Sequence, residues 1–103
     1  MNHLVYSYFY FIDQEMCRAR YIDPDISIKQ QFDDVFTEYL LLTASVKFEM
    51  NHGIEIPDEY MDYSQTLRQL AERISQLPRV DDKDFEKFLL YKEMVLTSGG
   101  RLN

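Results

Sequence analysis

From Asp33 to Met50 apolar side chains recur at steps of three and four: Val35, Tyr39, Leu42, Val46 and Met50 form one stripe, and Phe36 and Leu40 widen it. That period belongs to a long α-helix. Asp33 and Asp34 put negative charge where a helix N-terminus favours it, and Asn51, His52 and Gly53 supply the stop at the other end. Inside the helix the run Tyr39 to Val46, "YLLLTASV", carries no charge at all. A helix that is apolar nearly all round has to be covered on more than one face. The rest of the chain must therefore supply several packing partners for it.

Those partners are expected to be helices too. The aromatic run Leu4 to Ile12, "LVYSYFYFI", has the residue types of a strand, but no second strand is available to pair with it, and an unpaired strand leaves its backbone groups unsatisfied. A helix from about His3 to Arg20 is the better assignment, ending before Pro24, where Asp23 and Asp25 favour a turn. Further on, Pro57 opens a short helix with Asp58 and Glu59 in its first turn. Leu67, Leu70, Ala71, Ile74 and Leu77 mark an amphipathic helix capped by Asp62 or Ser64 and ended by Pro78. A last helix, capped by Asp81 or Asp82, carries Phe85, Phe88, Leu89 and Leu96 on one side and Glu86, Lys87 and Glu93 on the other, with Gly99 and Gly100 closing it. The short link "PRVDD" suits antiparallel neighbours. The fold class expected is all-α, one compact unit in which residues 1–78 form a helical bundle and residues 79–103 a helical extension packed on it; 103 residues with 46% apolar content suit a single core.

Charge and residue usage narrow the function classes. With 11 Lys plus Arg against 18 Asp plus Glu, the formal charge of −7 repels phosphate backbones and anionic lipid and attracts basic surfaces, so neither nucleic acid nor membrane is an expected partner. Leu4 to Ile12 is far shorter than the about 20 residues of a membrane span and has no basic flank before it, so it belongs to the fold. Cys17 stands alone, which leaves no internal disulfide and points to a reducing cytoplasm; as a lone thiol on a helix it reads as a small core residue. "DPD" and "DDKD" lack the alternating oxygen ligands and glycine of a calcium loop, and His3 and His52 lack ligand-spaced companions, so no metal and no cofactor are expected. No phosphate loop, nucleophile elbow or paired acid and base is present, so the chain does not read as an enzyme.

The segment Ile54, Glu55, Ile56, Pro57, Asp58, Glu59, set between a long helix and the helix beginning near "SQTL", resembles the loop and short helix of the acyl carrier protein family, and the similarity extends over residues from about 22 to 77. The resemblance implies a small acidic four-helix bundle, to which this chain adds a C-terminal helix. It also implies a phosphopantetheine-bearing serine in an Asp-Ser-Leu motif at the start of the second helix. Counted back without gaps from Pro57, that motif falls on Thr37, Glu38 and Tyr39, so Glu38 stands at the serine position. No serine lies between Asp33 and Leu42; Thr37 has the only aliphatic hydroxyl there, and Ser27 and Ser45 lie outside. The family's partners read acidic residues after the serine, and "YLLLTASV" has none. The expectation is a non-catalytic, carrier-like domain without phosphopantetheine, acting through contacts with a protein of basic or apolar surface or with a second copy. A divergent carrier using another hydroxyl and a binder of free fatty acyl or other small apolar ligands are the alternatives.

Overall fold

The structure, a computed structural model, describes residues 2–17 and 21–98. Helix α1 spans His3–Glu15, α2 Ile28–Gln31, α3 Val35–His52, α4 Leu67–Ile74 and α5 Asp82–Thr97, with a single 3-10 turn at Asp58–Tyr60. Among the described residues the regular structure is helical, joined only by two isolated antiparallel bridges, Ser27 with Thr66 and Ile54 with Arg79. The chain is all-α.

Helix α3 is the hub. It packs against α1 along one side and α5 along another, and α1 also meets α4. Val5, Tyr8 and Ile12 of α1, Leu41, Ala44 and Phe48 of α3, and Leu67, Leu70, Ala71 and Ile74 of α4 share one buried core with Ile28, Phe32 and Ile54. Burying each of the larger of these side chains stabilises the fold by roughly 1.5–3 kcal/mol from area alone. One polar pair crosses this core: the hydroxyls of Tyr8 and Ser45 lie 2.7 Å apart, and Ser45 also donates to the Leu41 carbonyl at 2.9 Å. Burial pushes the Tyr8 phenol pKa well above its ordinary value, so it stays neutral and available for that bond.

The face of α3 that enters the core is not the stripe that its periodicity suggests. Val35 is 84% exposed, Tyr39, Leu42 and Phe36 are exposed too, and Val46 and Met50 are only half-buried. The buried face is Thr37, Leu41, Ala44, Ser45, Phe48 and Glu49. Because the helix is uncharged through its middle, apolarity does not distinguish its sides. Small Ala44 and Ser45 let α1 approach closely, and the Tyr8–Ser45 bond fixes that approach.

Two boundaries also differ from expectation. Helix α1 stops at Glu15 with Met16 as its cap, and Cys17, at φ 54°, sits exposed in the left-handed region beyond the helix end, not in the core; the remainder of the expected helix, 18–20, lies outside the described residues. Helix α4 is capped by Thr66, whose hydroxyl accepts from Gln69 N–H while the Gln69 side chain accepts from Thr66 N–H, a reciprocal capping box. Asp62 instead accepts from the backbone and the hydroxyl of Ser64, at 3.0 and 2.7 Å. Ser27 and Gln30 form the same box at α2, a helical turn that periodicity did not mark. The two boxes lie side by side, because Ile28 N–H donates to the Gln65 carbonyl, Lys29 N–H to that of Tyr63, and Arg68 N–H to that of Pro24, each at 2.9 Å. Arg68 also pairs with Asp25 at 2.7 Å. This clasp ties the loop before α3 to the loop before α4. At the far end α5 begins after Asp81, and Gly99 and Gly100, expected to close it, lie outside the described residues.

Candidate functional site

Helix α5 runs antiparallel to α3 and is fastened to it at two levels. At its start Phe85 lies over Gly53, the residue that ends α3 at φ 65°; a Cβ there would come within 3.1 Å of the Phe85 ring and 3.2 Å of Arg79. Glycine therefore serves both the left-handed turn and the close approach of α5. One helical stretch further on, Phe88 is buried and Lys92 reaches two carboxylates, Glu49 at 2.9 Å and Glu55 at 2.6 Å. The Glu49 side chain is 5% exposed and also accepts from Ile56 N–H at 2.7 Å. Burial raises the pKa of Glu49, and the bonds from Ile56 and Lys92 offset only part of that rise. For Lys92 burial acts against the charge, yet its bonds to Glu55 and Glu49 outweigh it and hold the ammonium above its ordinary value.

Beside this latch the surface opens into a groove of about 420 Å³. Val35, Tyr39, Leu42 and Val46 of α3 form one wall, Tyr91, Val95 and Leu96 of α5 the other, and Ile56 and Met61 come in from the loop between α3 and α4. The stripe that periodicity marks on α3 therefore lines a groove and does not enter the core. Glu38 and Asp58 bring carboxylates to the lining, and among the described residues its one cation is Lys92, already held by Glu49 and Glu55.

The residues singled out in the sequence are only partly brought together. Glu38, half-buried near the start of α3, lies beside the Tyr63 phenol, whose pKa is pushed up first by burial and then by that carboxylate. Thr37 is buried, its hydroxyl 3.0 Å from the Asp34 carboxylate and 3.2 Å from the Asp34 carbonyl, where it completes the capping box of α3. Tyr39 lies on the groove wall. In the loop, Ile54 and Ile56 are buried, Glu55 turns to Lys92, Pro57 leads into the 3-10 turn, and exposed Asp58 and Glu59 start it. Glu38, Tyr39, Ile56 and Asp58 thus meet at one groove, whereas Thr37, Ile54 and Glu59 are not part of its lining.

Sequence reasoning missed Glu49 and Lys92. The signal was present for Lys92: it is the one charged residue in line with Phe85, Phe88, Leu89 and Leu96 on the face of α5 that packs. His3 and His52 do come near each other, with ring centroids 6.4 Å apart, and His52 Nε2 lies 2.7 Å from the Ser7 hydroxyl; burial and the neighbouring His3 lower the His52 pKa. Among the described residues no group of three or more His, Cys, Asp and Glu is arranged to hold a metal ion, and no helix is long and apolar enough to cross a membrane. Protein-family models, characterised proteins and solved structures give no match to this chain, so the site has to be interpreted from its own residues.

Proposed function

We propose that this chain is a non-catalytic, acyl carrier protein-like domain of the cytoplasm that has lost the prosthetic-group serine and acts through protein–protein contacts. The observation that carries the proposal is the exposed start of α3, where Val35, Phe36, Tyr39 and Leu42 face solvent and no serine is present. Two registers lead to the same conclusion. Counted back from Pro57 the attachment position is Glu38, which is engaged with Tyr63. Counted from the helix start, with Asp34 as the N-cap, an Asp-Ser-Leu motif would fall on Asp34, Val35 and Phe36. Neither register offers a nucleophilic hydroxyl.

The hydroxyls nearby do not favour a divergent carrier. That of Thr37 is buried in a cap, and that of Ser45 is buried between Tyr8 and Leu41. A transferase that attaches phosphopantetheine needs an exposed acceptor. Incubation with coenzyme A and a broad-specificity phosphopantetheinyl transferase is expected to leave the intact mass unchanged; a gain of one phosphopantetheine, mapped to Thr37, Thr43 or Ser45, would overturn the proposal.

The groove favours a second reading, in which an apolar small molecule is the ligand, since about 420 Å³ lined mainly by aliphatic and aromatic side chains lies within the size range of ligand pockets. Displacement of a fluorescent fatty acid from the purified chain, lost on Leu42→Asp, would favour it over the protein-contact reading.

A further inference from the structure

The two walls of the groove have the spacing of a helix-packing seam. On α3 the steps Val35, Tyr39, Leu42, Val46 are four, three and four residues, and on α5 Tyr91 and Val95 are four apart. Residues at such steps lie on one side of a helix, so each wall is a straight apolar row. Two adjoining rows on antiparallel helices leave a channel shaped for the ridge of a third helix. From Val35 to Val46 the row is about 16 Å long at 1.5 Å per residue, the reach of about three helical turns. The rows are largely uncovered: Val35 is 84%, Tyr91 49% and Leu42 41% exposed.

Charge distinguishes between possible occupants. The groove presents the carboxylates of Glu38 and Asp58, while Lys92 is neutralised by Glu49 and Glu55. The chain as a whole carries −7. A second copy would bring the same acidic rim against itself, and like charges at close range disfavour such a pairing. A fatty acid would add one more negative charge to a groove that already holds Glu38, Glu49 and Asp58, whereas a basic partner would offset them.

We infer that the groove between α3 and α5 is a docking site for one amphipathic helix of a partner protein, with apolar residues at three- and four-residue steps and Lys or Arg flanking them to meet Glu38 and Asp58. This rests on the protein-contact reading of the chain and specifies the partner.

The test is selection from a displayed library of helical peptides, varied at every position, against the intact unlabelled chain. The enriched peptides are expected to be net basic with apolar residues at three- and four-residue steps. Fluorescence anisotropy should show binding weakened about tenfold or more by Leu42→Asp and by Tyr91→Asp, as for central apolar contacts. Both positions are exposed, so unchanged circular dichroism is expected. Glu38→Gln combined with Asp58→Asn keeps the apolar rows and should weaken binding while flattening its salt dependence. Enrichment of acidic or aperiodic peptides, indifference to these substitutions, no enrichment at all, or a dimer in light scattering that Leu42→Asp dissolves would each overturn the inference. Transferase labelling of the chain would remove the functional reading without altering these outcomes, so the two fail separately.

Discussion

Replacing Lys92 by Met tests the attachment of α5 because it keeps the length and packing of the side chain and removes only its charge. The Lys92 and Glu49 side chains are 9% and 5% exposed, whereas Glu55 is 55% exposed and can return to water when its partner is lost. The variant thus leaves one carboxylate, Glu49, buried with a single backbone donor, Ile56 N–H. Breaking a buried pair from one side costs about 3–5 kcal/mol, a large share of the 5–15 kcal/mol expected for a whole domain. At about 4–8 °C per kcal/mol for a domain near 100 residues, the lower figure already means a fall in Tm of roughly 12–24 °C at pH 7. The deficit should depend on pH with a definite sign. Burial already raises the pKa of Glu49, and loss of the ammonium removes a group that lowers it. The folded state then binds a proton that the unfolded state has released, so stability rises as pH falls through the folded pKa and the gap to wild type narrows from pH 7 toward pH 5. Adding Glu49→Gln to Lys92→Met should restore much of the loss, because the amide can still accept from Ile56 and carries no charge. Thermal melts of the three proteins at both pH values suffice. A Lys92→Met Tm within a few degrees of wild type, or a loss equal at both pH values, would refute the idea that α5 is held by a buried charge.

Other positions give independent checks. Gly53→Ala should cost about 1 kcal/mol or more in chemical denaturation, since the residue is at φ 65° and the new methyl meets Phe85; a neutral result would mean that α5 does not seat there. Thr66→Ala should cost about 1 kcal/mol through loss of the capping box, whereas Ser64→Ala, outside the box, should cost less by the same measurement. Val35→Ser places a serine directly after the Asp34 cap at an exposed site; because "YLLLTASV" offers no acidic face, we expect at most trace labelling by a phosphopantetheinyl transferase, and efficient labelling would show that a carrier docking surface survives.

Legibility differed from helix to helix for identifiable reasons. In α4 the charges of Arg68, Glu72 and Arg73 mark the solvent side, so Leu67, Leu70, Ala71 and Ile74 could be assigned to the core, where they lie. In α3 the charges are missing, and counting apolar residues picked the row that lines the groove. The small residues Ala44 and Ser45, which admit α1, carry little weight in such a count. The cap of α4 was legible in principle: Asp62 and Thr66 are both followed three residues later by Gln, but only Thr66 stands directly before Leu67, the first residue of the apolar stripe. The end of α1 was not, since Met16 is an ordinary helix former and the turn at Cys17 depends on tertiary context. The groove itself lay beyond sequence reasoning, because it exists only where α5 crosses α3, and that crossing is set by Gly53 meeting Phe85 and Lys92 reaching Glu49, contacts between residues far apart in the chain.

The central claim is that the chain works without a prosthetic group. The most direct measurement is the intact mass of the chain purified from the cells that make it, under conditions that preserve thioesters. The account predicts the mass of the bare 12.4 kDa polypeptide with no pantetheine or acyl-pantetheine adduct. A species heavier by phosphopantetheine, with fragments placing it in α3, would contradict it.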